Sequence, residues 1–120
     1  MDQTTFCTQK PTHMEHFLEI CLLLLLHDEL GYGYGLIEQL KQFGFSESDL
    51  NVSTLYRTLR KMEHENLVTS GWEEGEQGPR RRVYKITLTG RDALGQWIQI
   101  LKSRKSRIET LLNKYDLRTR

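Results

Sequence analysis

Two clusters of side chains in the second half of this chain carry groups suited to nucleic acid. The first, Ser53, Thr54, Tyr56, Arg57, Arg60 and Lys61, lies within nine residues. Arginine forks form bidentate bonds with the major-groove edge of guanine, and hydroxyls and ammonium groups bond phosphate oxygens. The second cluster, Arg80, Arg81, Arg82 and Lys85, sets four cations on six residues, where they would neutralise backbone phosphates. Both clusters also have a plain reading. Basic residues cover solvated helix faces, and they deter strand edges from pairing with other chains.

A helix positions the first cluster. Asn51 is an N-cap for a helix reaching about Asn66, with Leu55, Leu59 and Met62 inward by 3.6-residue periodicity. Ser53, Arg57, Arg60, Lys61 and His64 then face outward, and Arg57 is the best single candidate for a base contact. A hairpin positions the second cluster. Leu67 to Trp72 and Arg82 to Leu88 alternate and are rich in Val, Tyr, Ile and Thr. Between them Glu73 to Pro79 is polar and holds Gly75, Gly78 and Pro79. Glu73, Glu74 and Glu76 would repel phosphate, so the base of this wing, around Arg80 to Arg82, should matter more than its tip. Tyr84 is expected to pack between helix and wing; Tyr56 lies on the helix flank, and its role stays open.

Upstream, Glu15 to Glu29 reads as a helix buried on most sides, with Phe17, Leu18, Cys21, Leu22, Leu25 and Leu26 on one face. Gly31 to Gly35, reading Gly-Tyr-Gly-Tyr-Gly, ends it. A second helix runs from about Tyr34 to Phe43, with Leu36, Ile37 and Leu40 inward, and Gly44 stops it. After the hairpin, Thr89 or Gly90 closes the second strand and a final helix spans about Arg91 to Tyr115. Helix, helix, helix, strand, strand, helix is the order of a winged helix-turn-helix. The expected fold is therefore mainly α with a small β-hairpin. Residues 1–90 would form the winged unit with an N-terminal arm, and residues 91–120 a helix appended to the same structural unit.

The final helix carries Leu94, Trp97, Ile98, Leu101, Ile108, Leu111, Leu112 and Tyr115 on one stripe, interrupted by Arg104 and Lys105. A helix protruding after a wing cannot bury so much apolar surface in a small monomer, so its expected partner is a second copy. A two-fold dimer would set two reading helices about one DNA turn apart, matching a palindromic site. Trp97 is the candidate for lining a cavity that takes a flat, apolar effector, with core packing the commoner role for such a residue.

Composition narrows the class. In 120 residues, 38% hydrophobic and 28% charged, there is room for one core but not two. Residues 1–50 hold two basic and eight acidic side chains, whereas residues 51–120 hold fifteen and eight, a swing from −6 to +7 hidden in a net +1. Such asymmetry suits a polyanion partner for the second half. The apolar run Ile20 to Leu26 is too short to cross a membrane. The N-terminus carries no export signal, and a cytoplasmic protein is expected. Cys7 and Cys21 are expected to stay reduced there. No enzyme, cofactor or metal is expected: Gly31 to Gly35 lacks G-x-G-x-x-G spacing and a preceding strand, and Cys7, His13 and His16 complete no ligand set. The rival reading is a winged-helix module that binds protein or RNA on the same scaffold.

Taken together, Gly-Tyr-Gly-Leu-Ile (Gly33 to Ile37), Ser-Thr-Leu-Tyr-Arg-Thr-Leu-Arg-Lys-Met-Glu (Ser53 to Glu63), Gly-Pro-Arg-Arg-Arg-Val-Tyr-Lys-Ile-Thr (Gly78 to Thr87) and Thr89-Gly90-Arg91 resemble the PadR family over nearly the whole chain. The resemblance implies a cytoplasmic, homodimeric repressor that pairs through its first and last helices, Phe17 included, and leaves a double-stranded operator when a small molecule binds or conditions change. The single C-terminal helix looks like the family's shorter subgroup. Within it, the leucine-rich first helix, Tyr-Arg-Thr-Leu-Arg and Val-Thr-Ser-Gly-Trp look most like polyhydroxybutyrate-responsive members. Two departures stand out. Arg57 takes the place where many members have proline, and the ligand-stacking tryptophan of multidrug-responsive members falls about one turn after Trp97.

Overall fold

Leucines dominate the core. The structure, a computed structural model, describes residues 16–28, 31–46, 50–73 and 81–119. Helix α1 (Phe17–Asp28) is apolar around most of its circumference, and Ile20, Cys21, Leu22, Leu23 and Leu26 are all buried. Around it pack α2 (Gly33–Leu40), α3 (Val52–His64) and the first half of α4 (Leu88–Arg118). Leu22, Leu40, Leu55, Leu59 and Met62 have no exposed surface. Each such side chain contributes about 1.5–3 kcal/mol of burial, which makes this shared core the dominant stabilising feature.

The turn between α1 and α2 contains an element the sequence did not announce. Gly31–Tyr32 forms a two-residue strand, β1, paired antiparallel with β3 (Arg81–Ile86), which in turn pairs with β2 (Val68–Glu73). The sheet order is β1-β3-β2, so the hairpin is anchored to the helical core along one edge. A single turn of 3-10 helix, Lys41–Phe43, follows α2, and Gly44 ends it at φ +92°.

Capping fixes both ends of α3. Asn51 Oδ1 accepts the Thr54 N–H at 2.9 Å, as its N-cap role requires. At the other end Leu67 N–H donates to Met62 O at 2.9 Å and Asn66 N–H to Glu63 O at 3.0 Å, a Schellman pattern with Asn66 left-handed at φ +65°. The chain thus reverses directly into β2.

Helix α4 begins three residues earlier than the sequence suggests, at Leu88, and β3 ends at Ile86. Thr87 is its N-cap: Oγ1 accepts the Gly90 N–H at 2.9 Å and donates to the carbonyls of Asn66 and Leu67 at 2.6 and 3.0 Å. Gly90 is no helix breaker here. A Cβ at this position would lie 2.1 Å from the Leu67 carbonyl oxygen and 2.8 Å from Ile86 Cγ1, so only glycine lets α4 rest on that backbone. Gly90→Ala is expected to cost about 1–3 kcal/mol by overpacking, lowering the thermal midpoint by several degrees in circular dichroism. An unchanged midpoint would mean that the two backbones do not meet this closely.

Candidate nucleic-acid interface

On α3 the buried Leu55, Leu59 and Met62 force the opposite face into solvent, and Ser53, Arg57, Arg60 and His64 share it within about 60° of arc. All four are exposed. Arg57 and Arg60 make no ion pair among the described residues, so their guanidinium groups are available to an outside partner. Thr54 is half-buried and its backbone serves the helix start, donating to Asn51 and accepting from Thr58 Oγ1 at 2.9 Å. Tyr56 turns toward the wing, its ring 6.4 Å from that of Tyr84. Lys61 is exposed as expected but is not free. Its Nζ lies 3.4 Å from Glu19 Oε1, an ion pair to the buried flank of α1.

Arg81, Arg82 and Lys85 do not act as one cluster, because successive strand residues face opposite sides. The register pairs Trp72 with Arg82 and Ser70 with Tyr84, and these four share the side that faces α3. Arg81, Val83 and Lys85 share the other side with Thr69, Gly71 and Glu73. Arg81 and Lys85 are exposed. The Arg81 guanidinium lies 4.8 Å above the Tyr32 ring, whose hydroxyl donates to Glu73 Oε1 at 2.8 Å. That hydrogen bond pushes the Tyr32 pKa above its ordinary value, reinforced by desolvation and the carboxylate charge and opposed by Arg81. Tyr84 is buried as expected, and burial likewise raises its pKa.

Arg82 is drawn inward. Its Nη2 donates to Ser70 Oγ at 2.9 Å and lies 3.8 Å from Glu63 Oε1, with the guanidinium 5.2 Å from the Trp72 ring. Arg82, expected as a phosphate contact, thus reaches α3 through Glu63, with its side chain about a third exposed. Glu63, Ser70, Trp72 and Tyr32 were missed by sequence reasoning. The strand register puts Tyr32, Ser70 and Trp72 beside the wing cations, and the packing of α3 on the sheet brings Glu63 there. Arg80, Glu74 and Glu76 lie outside the described residues, as do Cys7 and His13.

The expected interface stripe on α4 divides in two. Leu94 is buried in its own chain at 6% exposure, and Trp97, Ile98 and Leu101 pack partly against the same core. Phe17 is likewise engaged within the chain, stacked on Phe45 at 5.8 Å. Beyond Leu101 every residue to Thr119 is exposed, and Ile108, Leu111, Leu112, Tyr115 and Leu117 stand open to water. Trp97 borders a cleft of about 270 Å³ between α1 and α4, its ring 4.8 Å from that of His16, with Glu19, Ile20, Leu23 and Leu67 among the walls. Among the described residues no helix is long and apolar enough to cross a membrane, and no group of side chains has a metal-binding arrangement.

The family model of PadR-like transcriptional regulators matches residues 22–96, from within α1 to the third turn of α4. A PadR-like transcription factor from Bacteroides fragilis is 32% identical, over 78% of this chain and 88% of that one, at TM-score 0.67. A PadR-like transcriptional regulator from Bacillus cereus is 28% identical, over 84% and 96%, at TM-score 0.73. PadR from Bacillus subtilis, solved in complex with operator DNA, shares the fold at TM-score 0.60 and 22% identity, over 68% of this chain and 46% of that one. The sequence matches no curated protein. With its winged helix-turn-helix architecture and the match running through all three helices and the wing, the chain belongs to the PadR-like family of transcriptional regulators.

Proposed function

We propose that this protein is a cytoplasmic, homodimeric repressor, without enzymatic activity, that binds a palindromic DNA operator and releases it when a small apolar or aromatic effector binds. The observation that carries the reading is the exposed stripe of Ser53, Arg57 and Arg60 on a helix capped at both ends, whose opposite face is locked into the core. In this reading Arg57 reads bases in the major groove, while Ser53, Arg60, Arg81 and Lys85 hold phosphates on either side. The exposed distal half of α4 pairs with its copy, and the cleft beside Trp97 receives the effector. The operator complex of the Bacillus subtilis relative supports the DNA assignment as an analogy of fold.

Fluorescence anisotropy with duplex from upstream of the protein's own gene, against scrambled duplex, at two salt concentrations tests this. Saturable binding that prefers the upstream duplex and weakens steeply with salt is the expected result. Equal and salt-insensitive behaviour toward both would favour a protein-binding role for the same scaffold.

A further inference from the structure

Arg82 is held within its own chain by partners on both the wing and α3. Ser70 Oγ donates to both carboxylate oxygens of Glu63, at 3.0 and 2.9 Å, and accepts Arg82 Nη2 at 2.9 Å. The guanidinium lies between the rings of Trp72, at 5.2 Å, and Tyr84, at 6.0 Å. Its Nε is buried without a hydrogen-bond partner among the described residues, so an incoming ligand cannot reach that edge. Its Nη2 lies 3.8 Å from Glu63 Oε1, whose charge repels a phosphate approaching that corner. Glu63 lies on α3 one turn beyond Arg60, whereas Ser70 and Arg82 lie on paired strands of the wing.

We propose that Glu63, Ser70 and Arg82 form a latch that fixes the angle between the wing and α3, so that Arg82 is a positioning residue for DNA recognition and not a phosphate ligand. The proposal rests on the DNA-binding reading above. A partly desolvated ion pair bridged by a hydroxyl adds little net stability but admits few geometries, and geometry is what a two-element DNA reader requires. Groove contacts from α3 and phosphate contacts from Arg81 and Lys85 can form together only if the two elements keep a set separation.

The test measures operator and scrambled-duplex binding of the full chain across a salt series for Arg82→Gln, Glu63→Gln, their combination and Ser70→Ala, with Arg81→Ala for comparison. Arg82→Gln and Glu63→Gln are each expected to weaken operator binding about tenfold, a change of roughly 1.4 kcal/mol. The double variant should be no weaker than the worse single one, because both cut the same latch. Ser70→Ala should follow in the same direction, and it keeps the question open to an answer if a charge variant folds poorly. The salt slope should stay at the parent value in all four, whereas Arg81→Ala should lower it by about one per subunit. A residue that only stabilised the fold would shift the melting midpoint and leave the ratio of operator to scrambled affinity unchanged. Two results overturn the latch: a salt slope reduced by Arg82→Gln together with tighter binding by Glu63→Gln, which makes Arg82 a phosphate ligand, or parental discrimination in every variant. If the parent itself bound neither duplex, the DNA reading would fall, and the latch with it.

Discussion

Ile108→Lys combined with Leu112→Lys is expected to yield a folded monomer that has lost most of its operator affinity. The two side chains lie one turn apart on α4, at 54% and 52% exposure, and touch no core residue of their own chain. Truncating or charging them therefore spares the fold. In a dimer the same positions would press lysines into an apolar seam, where unpaired charge is costly. Sedimentation velocity should show half the parental mass with an unchanged circular dichroism spectrum. Operator affinity should fall by roughly 10²- to 10⁴-fold, because two linked half-sites become two independent ones. Two added lysines would by themselves strengthen attraction to DNA, so a loss cannot be ascribed to charge. A variant that remained dimeric would move the subunit contact away from distal α4.

Arg57→Ala should produce the second large effect, in specificity more than in overall affinity. The side chain is exposed on the outward stripe of α3 and its removal leaves no cavity. Loss of one bidentate base contact is worth about 1–3 kcal/mol against the wrong base. With one copy in each half-site, preference for operator over scrambled duplex should fall by at least tenfold, while scrambled binding changes little. Arg81→Ala should instead weaken both duplexes alike. Competition anisotropy separates the two, and a uniform loss with Arg57→Ala would relegate it to a backbone contact.

How much of this could be read beforehand depended on whether a signal was local. Asn51 capping α3, and Leu55, Leu59 and Met62 fixing its buried face, needed only the helical period, and the structure agrees. Gly44 as a stop and Tyr84 as a packing residue were equally legible. Other features needed partners distant in the chain. Lys61 is exposed as its helix position suggested, but nothing in its neighbourhood names its ion-pair partner Glu19, 42 positions earlier. Arg81 and Arg82 looked like one patch, but adjacency in sequence becomes alternation across a pleated strand, and Arg82 turns toward α3. Strand β1 is too short for any periodicity to reveal. Gly90 misled because glycine usually marks an end, whereas here its missing Cβ admits the Leu67 carbonyl. Leu94 and Phe17 shared the apolar character of an interface stripe, and the winged unit itself had first claim on them.

The joint at Thr87 ties together two helices whose tasks are otherwise separate. The same hydroxyl that starts α4 grips the carbonyls of Asn66 and Leu67, where α3 has just ended, and Gly90 seats α4 against one of them. If α4 is the arm that joins two subunits and α3 the jaw that meets DNA, this joint makes each protomer one leg of a caliper. No slack separates the arm from the jaw. A small rotation between the two arms would be carried undiminished to the jaws, opening or closing the gap they measure along the double helix.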